Sequence, residues 1–119
     1  MTTAARTGPL EDLTIIDCTR ALAVPFDAGI LADLGARVIK LEPPMGDGYR
    51  TTPPFLPDHS APYEDGTAGT DFGAPFAAVN RNKRSVCLNL KDPADKDVFL
   101  QLCDPVSYTH LTLPTICSV

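Results

Sequence analysis

Residues 13–42 read LTIIDCTRALAVPFDAGILADLGARVIKLE, and this stretch decides the fold. Leu13-Thr14-Ile15-Ile16-Asp17-Cys18 is short, β-branched and bounded by polar residues, the pattern of a buried strand. Thr19 to Val24 reads as a connecting loop. Pro25 suits the first turn of a helix, where its missing N–H is not needed. The helix then runs to Leu34, with Ile30, Leu31 and Leu34 expected on its apolar face. Gly35 falls where a left-handed residue terminates a helix. Arg37-Val38-Ile39-Lys40-Leu41-Glu42 is a second strand. Strand, helix and strand in so short a span make a βαβ unit, with parallel strands and a right-handed crossover. The expected class is α/β.

Upstream, residues 1–9 are small, polar and Gly/Pro-containing, a disordered lead-in. Downstream, Pro43 to Asn80 is long, rich in Pro and Gly, and without a periodic element of its own. Loops of that length in a compact domain are commonly functional or mobile. Ser85-Val86-Cys87-Leu88-Asn89-Leu90 reads as a third strand. Asp92 then caps a helix, with Pro93 at its first position and Asp95 in its first turn. Val98, Phe99, Leu102 and Cys103 are its expected buried stripe. The pattern stops at Asp104, where a further strand is expected.

Val106 to Val119, VSYTHLTLPTICSV, contains no Asp, Glu, Lys or Arg and has no clear period. Val106 to Thr115 resembles one reading frame of a transposase-based sequencing-library adapter. Residues 105–119 are therefore read as a non-native tail and set apart from the fold. Tyr108, His110 and Cys117 carry no functional weight in this reading. Residues 10–104 become the amino-terminal part of a larger domain.

Composition narrows the function classes. The chain has 119 residues, 44% hydrophobic and 21% charged, which excludes a charged disordered chain. Ten basic against fifteen acidic residues give a net charge of −5. Nucleic-acid coating needs clustered excess cations, so no nucleic-acid partner is expected. No apolar run reaches membrane-span length and no secretory signal is visible, so no membrane association and a cytoplasmic setting are expected. The four cysteines form no CxxC pair, which leaves metal and disulfide readings weak.

The sharpest local feature is Asn80-Arg81-Asn82-Lys83-Arg84-Ser85, followed by Lys91, with no acid between Asp71 and Asp92. Such a cluster beside a strand suits a polyanion such as a nucleotide diphosphate, or simply forms a solvated turn. Asp17 closes the first strand, where α/β folds place ligand crevices, although capping nearby N–H groups is the commoner role. Thr19 to Val24 precedes a helix N-terminus, a natural cradle for an anion. Met45-Gly46-Asp47-Gly48 does not open a clear helix, so a dinucleotide fingerprint fails there. His59 has no ligand-spaced partner. Cys18, Cys87 and Cys103 fall at expected buried positions, and none has a positioned base.

Three segments in this order resemble family III CoA-transferases of the carnitine and bile-acid type, formyl-CoA transferase among them. They are Pro9 to Arg20 (PLEDLTIIDCTR), Leu31 to Pro44 (LADLGARVIKLEPP) and Asn80 to Lys91 (NRNKRSVCLNLK). Departures are Asp12 where Gly is usual, Val24 where Gly often precedes the Pro, and an insertion-like loop from Thr51 to Ala74. The resemblance implies a large domain with a Rossmann-like core that binds CoA, and an interlocked homodimer when full length. It implies transfer of CoA from an acyl-CoA donor to a carboxylic acid through an Asp nucleophile downstream of these motifs. No catalytic residue is therefore assigned in this chain. No cofactor or metal is expected, the CoA thioester being substrate. By motif position the CoA contacts fall on Ala21, Leu22, Ala23, Pro43, Leu88, Asn89, Leu90 and Lys91, with Pro43 replacing an Arg of some members. The alternative implied by the same motifs is an acyl-CoA racemase or epimerase with His/Asp acid–base groups. A third reading is that residues 1–119 alone are poorly stable and inactive, with apolar surface left uncovered at a sheet edge.

Overall fold

The β-branched run Thr14-Ile15-Ile16 seeds a parallel sheet, which needs apolar or paired residues on both faces. The computed structural model describes residues 7–55, 73–104 and 108–110. Its elements are β1 (Thr14–Asp17), α1 (Ala23–Asp33), β2 (Arg37–Glu42), a 3-10 turn (Gly48–Thr51), α2 (Ala74–Val79), β3 (Arg84–Cys87), α3 (Pro93–Cys103) and β4 (Tyr108–His110). All strand pairs are parallel and the order is β3-β2-β1-β4. The expected α/β class with parallel βαβ units is the class adopted.

Register decides what shares a face. Ile15 lies opposite Val38 and Asp17 opposite Lys40, while Lys40 lies opposite Ser85. Since side chains alternate, Ile15, Asp17, Val38, Lys40 and Glu42 project to one side. Ile15 and Val38 pack there with Ala28 and Ala32 of α1 and with Ala36. Each such large aliphatic contributes on the order of 1.5–3 kcal/mol by leaving water.

The helix faces differ from expectation. In α1 the buried residues are Pro25, Ala28, Gly29 and Ala32, while Ile30 and Leu34 are 40% and 41% exposed. Leu31 alone of the expected face packs against the core. The i, i+3, i+4, i+7 spacing is present, but in small residues that let the helix lie close to its neighbours. A Cβ on Gly29 would stand 3.0 Å from the Val79 carbonyl oxygen. Helix α1 also begins at Ala23, inside the expected loop. Its end is as read: Gly35 has φ +100, its N–H donates to Ala32, and the Ala36 N–H donates to Leu31, a Schellman closure.

Helix α3 starts as expected, with the Asp92 carboxylate accepting from the Ala94 N–H at 2.8 Å. It has no buried residue, however, and Val98 is 43% exposed. Strand β3 occupies Arg84–Cys87 rather than running to Leu90, because β2 ends at Glu42. The Leu88 N–H still donates to the Glu42 carbonyl, after which the chain turns through Asn89. The long stretch after β2 contains the 3-10 turn and α2, joined by an antiparallel bridge between Phe55 and Gly73. Most of the Thr51–Ala74 loop, with His59, lies outside the described residues. Tyr108–His110, in the segment set apart as a tail, pairs in parallel with Ile15–Asp17.

Candidate functional site

The carboxyl end of β1 is built on a buried acid. Asp17 is fully buried, and its Oδ1 accepts from the Thr19 amide at 3.0 Å and from the Thr19 hydroxyl. This is the capping role expected for such an Asp. Its Oδ2 meets the Lys83 ammonium at 2.8 Å. Lys83 also donates to the Pro25 carbonyl at 2.6 Å and to Asn80 Oδ1 at 3.0 Å. Burial pushes the Lys83 ammonium below the usual lysine value, and the adjoining Asp17 carboxylate offsets part of that.

The end of β2 carries a second ionic cluster. Lys40 is 1% exposed, and its Nζ lies 2.9 Å from Asp47 Oδ2 and 2.9 Å from the Thr19 carbonyl oxygen. Glu42 accepts from Arg50 at 2.7 and 2.8 Å, from the Ser85 hydroxyl at 2.6 Å and from the Asp47 amide at 3.0 Å. Burial alone would raise its carboxyl, but these donors outweigh it and pull the pKa down to about 2. Asp47 caps the 3-10 turn through the Tyr49 amide. Arg50 also stacks 4.0 Å from the Phe76 ring centroid.

The basic segment 80–85 is therefore engaged in part by the rest of the fold, with the Lys83 side chain buried and its arginines exposed. Arg81 and Asn82 both reach Asp33 at the end of α1, whose carboxyl is held below its usual range by the Arg81 hydrogen bond. Lys83 binds Asp17 and Ser85 binds Glu42. It is a turn exposed at Arg81, Asn82 and Arg84, and through Arg81, Lys83 and Ser85 it also staples α1, β1 and β2 together. The acids that engage it lie 43 to 66 residues away in the chain.

A cavity of about 250 Å³ opens where β1, β2 and β3 end. It is lined by Cys18, Arg20, Leu41, Pro43, Leu88, Asn89, Leu90 and Lys91. Five of the residues expected to contact CoA, Pro43, Leu88, Asn89, Leu90 and Lys91, thus come together. Ala21, Leu22 and Ala23 do not line it; they follow Arg20 and lead into α1. Ala21 sits at φ 64, a left-handed conformation costing an alanine roughly 1–2 kcal/mol. Helix α1 has no side-chain cap, which leaves backbone N–H groups available at its first turn. The lining joins Leu and Pro surface to two cations and includes no carboxylate, a chemistry suited to an apolar ring system bearing phosphates. Motif position missed Cys18, Arg20 and Leu41. Arg20 stood in the first quoted motif, and its place just past a strand end was the available signal.

The cysteines are more open than expected: Cys87 is exposed on the edge strand β3, and Cys18 and Cys103 are half-buried. Burial, then the neighbouring Asp17, pushes the Cys18 thiol up to about 11, so it is a poor nucleophile. Among the described residues no cluster of His, Cys, Asp and Glu is arranged to hold a metal ion, and no helix is long and apolar enough to cross a membrane.

Residues 10–106 match the family model described as CoA-transferase family III. The chain is 43% identical over 102 residues to acetyl-CoA:oxalate CoA-transferase of Acetobacter aceti, covering 85% of this chain and 23% of that protein. It is 44% identical over 101 residues to succinyl-CoA:glutarate CoA-transferase of Homo sapiens, covering 81% and 20%. A solved CAIB/BAIF family protein from Brucella suis superposes with a TM-score of 0.72 at 34% identity, over 86% of this chain and 25% of that one. The chain spans about a fifth to a quarter of the length of these relatives.

Proposed function

The chain belongs to CoA-transferase family III, and from that premise we propose that residues 10–104 form the nucleotide-binding part of an enzyme moving CoA from an acyl-CoA donor to a carboxylic acid. The observation that carries this reading is the acid-free cavity at the strand ends, where Arg20 and Lys91 join Pro43, Leu88, Asn89 and Leu90. An adenine ring suits the Leu and Pro walls, and the two cations suit the phosphates. Ala21, Leu22 and Ala23 then supply backbone N–H contacts at the start of α1. The parallel order β3-β2-β1 within residues 10–104 supports a Rossmann-like core, in which ligands lie outside the carboxyl ends of the strands.

The transfer chemistry needs a free carboxylate to attack the thioester. Asp17 is ion-paired and buried, Asp33 is held by Arg81, and Asp92 caps α3. None of these three is free, and the nucleophilic Asp is assigned, as the family resemblance implies, to a segment downstream of the Asn80–Lys91 motif. The role of this part is to bind and orient CoA, needing no metal or further cofactor. The proposal extends to an interlocked homodimer, as the resemblance implies, and to a cytoplasmic setting.

Calorimetry with CoA on the 119-residue chain tests the reading. We expect weak binding, on the order of 100 µM, since only part of the ligand's surface is gripped. Lys91→Ala should weaken it about tenfold, the worth of one charge-assisted phosphate contact. A folded chain that binds no CoA at millimolar concentration overturns the proposal.

A further inference from the structure

We propose that Lys40 is a positioning residue that ties together the two walls of the strand-end cavity and presents the loop after β1 in its ligand-ready shape. The inference rests on the CoA reading of that cavity and adds a residue outside its lining. One wall is the loop after β1: Thr19 stands between Cys18 and Arg20, both lining residues. The other is the turn after β2, which begins at the lining residue Pro43 and reaches Asp47, whose amide donates to Glu42 behind the lining. The Lys40 ammonium reaches both, 2.9 Å from the Thr19 carbonyl oxygen and 2.9 Å from Asp47 Oδ2.

The clamp works because it is dry. Lys40 and Asp47 are 1% and 2% exposed, so water does not compete for either group. A buried pair is poor value for stability compared with an apolar substitute, and its attested benefit is fixing one arrangement. Here the arrangement is specific. Asp17 holds the amide and hydroxyl of Thr19 while Lys40 holds its carbonyl, so the residue is gripped at every polar group. Ala21, two residues on, is thereby kept at φ 64, and a loop held in that conformation does not have to be ordered when ligand arrives.

The test removes both charges at once, Lys40→Met with Asp47→Asn, so that no lone buried charge remains. Hydrogen exchange of the amides of residues 19–24 is measured beside CoA affinity and the unfolding temperature. Asp33→Asn, which cuts the exposed Arg81 pair, is the control. We expect loop exchange to quicken about tenfold and CoA affinity to fall by a similar factor in the double variant, with the control unchanged in both. Asp47→Asn alone, isosteric and still offering an oxygen to Lys40, should show a smaller change in the same direction and serves if the double variant does not fold. Unaltered loop exchange in a folded variant overturns the proposal. If wild type binds no CoA while the variants still loosen the loop, the CoA reading fails and the clamp stands. If variants and wild type bind CoA equally, the clamp fails and the CoA reading stands.

Discussion

Helices α1 and α3 are each eleven residues long, yet they are stabilised in opposite ways. Helix α3 announces itself locally: an Asp cap, Pro at its first position and an acid in its first turn, but no buried residue. Helix α1 has no side-chain cap and no helpful charge at either end, yet it buries four residues and contributes Ala28 and Ala32 to the core. One helix is specified by its neighbours in sequence and the other by its neighbours in space. Isolated helices of this length are marginal in water, so α1 depends on what it is fastened to. The fastening is ionic as well as apolar: Lys83 ties the Pro25 carbonyl to Asp17, and Arg81 ties the far end at Asp33.

The hardest blow to this contrast is Lys83→Met. It strands Asp17, fully buried, without its cation, and chemical denaturation should report a loss of about 3–5 kcal/mol. Stability unchanged within error would show that α1 is not fastened through this pair. Next comes Ala28→Leu, which overfills a site 1% exposed and should cost about 1–3 kcal/mol. The same exchange at Ala94 in α3, which is exposed, should stay within about 0.5 kcal/mol. Comparable losses at the two sites would erase the difference between the helices.

Acid sharpens the comparison further. The Glu42 carboxyl, ordinarily near 4.5, is drawn down to about 2 in the folded chain. A depressed carboxyl stabilises above its unfolded value and stops doing so as pH falls through its folded value. Stability should therefore decline between about pH 5 and pH 2, by about 1–2 kcal/mol once solvent screening is allowed for. Unfolding curves of Glu42→Gln should lack this part of the slope. A small effect belongs to the α3 cap: Asp92→Ala removes it and should cost about 1 kcal/mol or less, read as lost protection in that helix alone.

Much of the cavity lining was legible through motif position: Pro43 and Leu88 to Lys91 lie in the quoted motifs and meet there, and so does Arg20, which no motif reading singled out. Lys40 was not legible at all. Along β2 the apolar residues Ile39 and Leu41 are half-buried, while Lys40 and Glu42, on the Val38 face, are almost wholly buried. A period-two reading assigns charged residues to water, and nothing nearby in sequence announces the Thr19 carbonyl or the Asp47 carboxylate as partners. The acid partners of Arg81, Lys83 and Ser85 in the basic turn were hidden for the same reason.

From its local order the chain determined where strands and helices lie: β2 at Arg37–Glu42, the Gly35 stop and the Asp92 start. Those features depend on backbone preference and on hydrogen bonds spanning a few residues. Only the tertiary structure decided which faces are dry, which charges are interior, and that the small side of α1 rather than its large one meets the sheet. A buried ion pair or a close helix contact is settled by groups brought together from distant parts of the chain, and the energy of each is set by the water they jointly exclude.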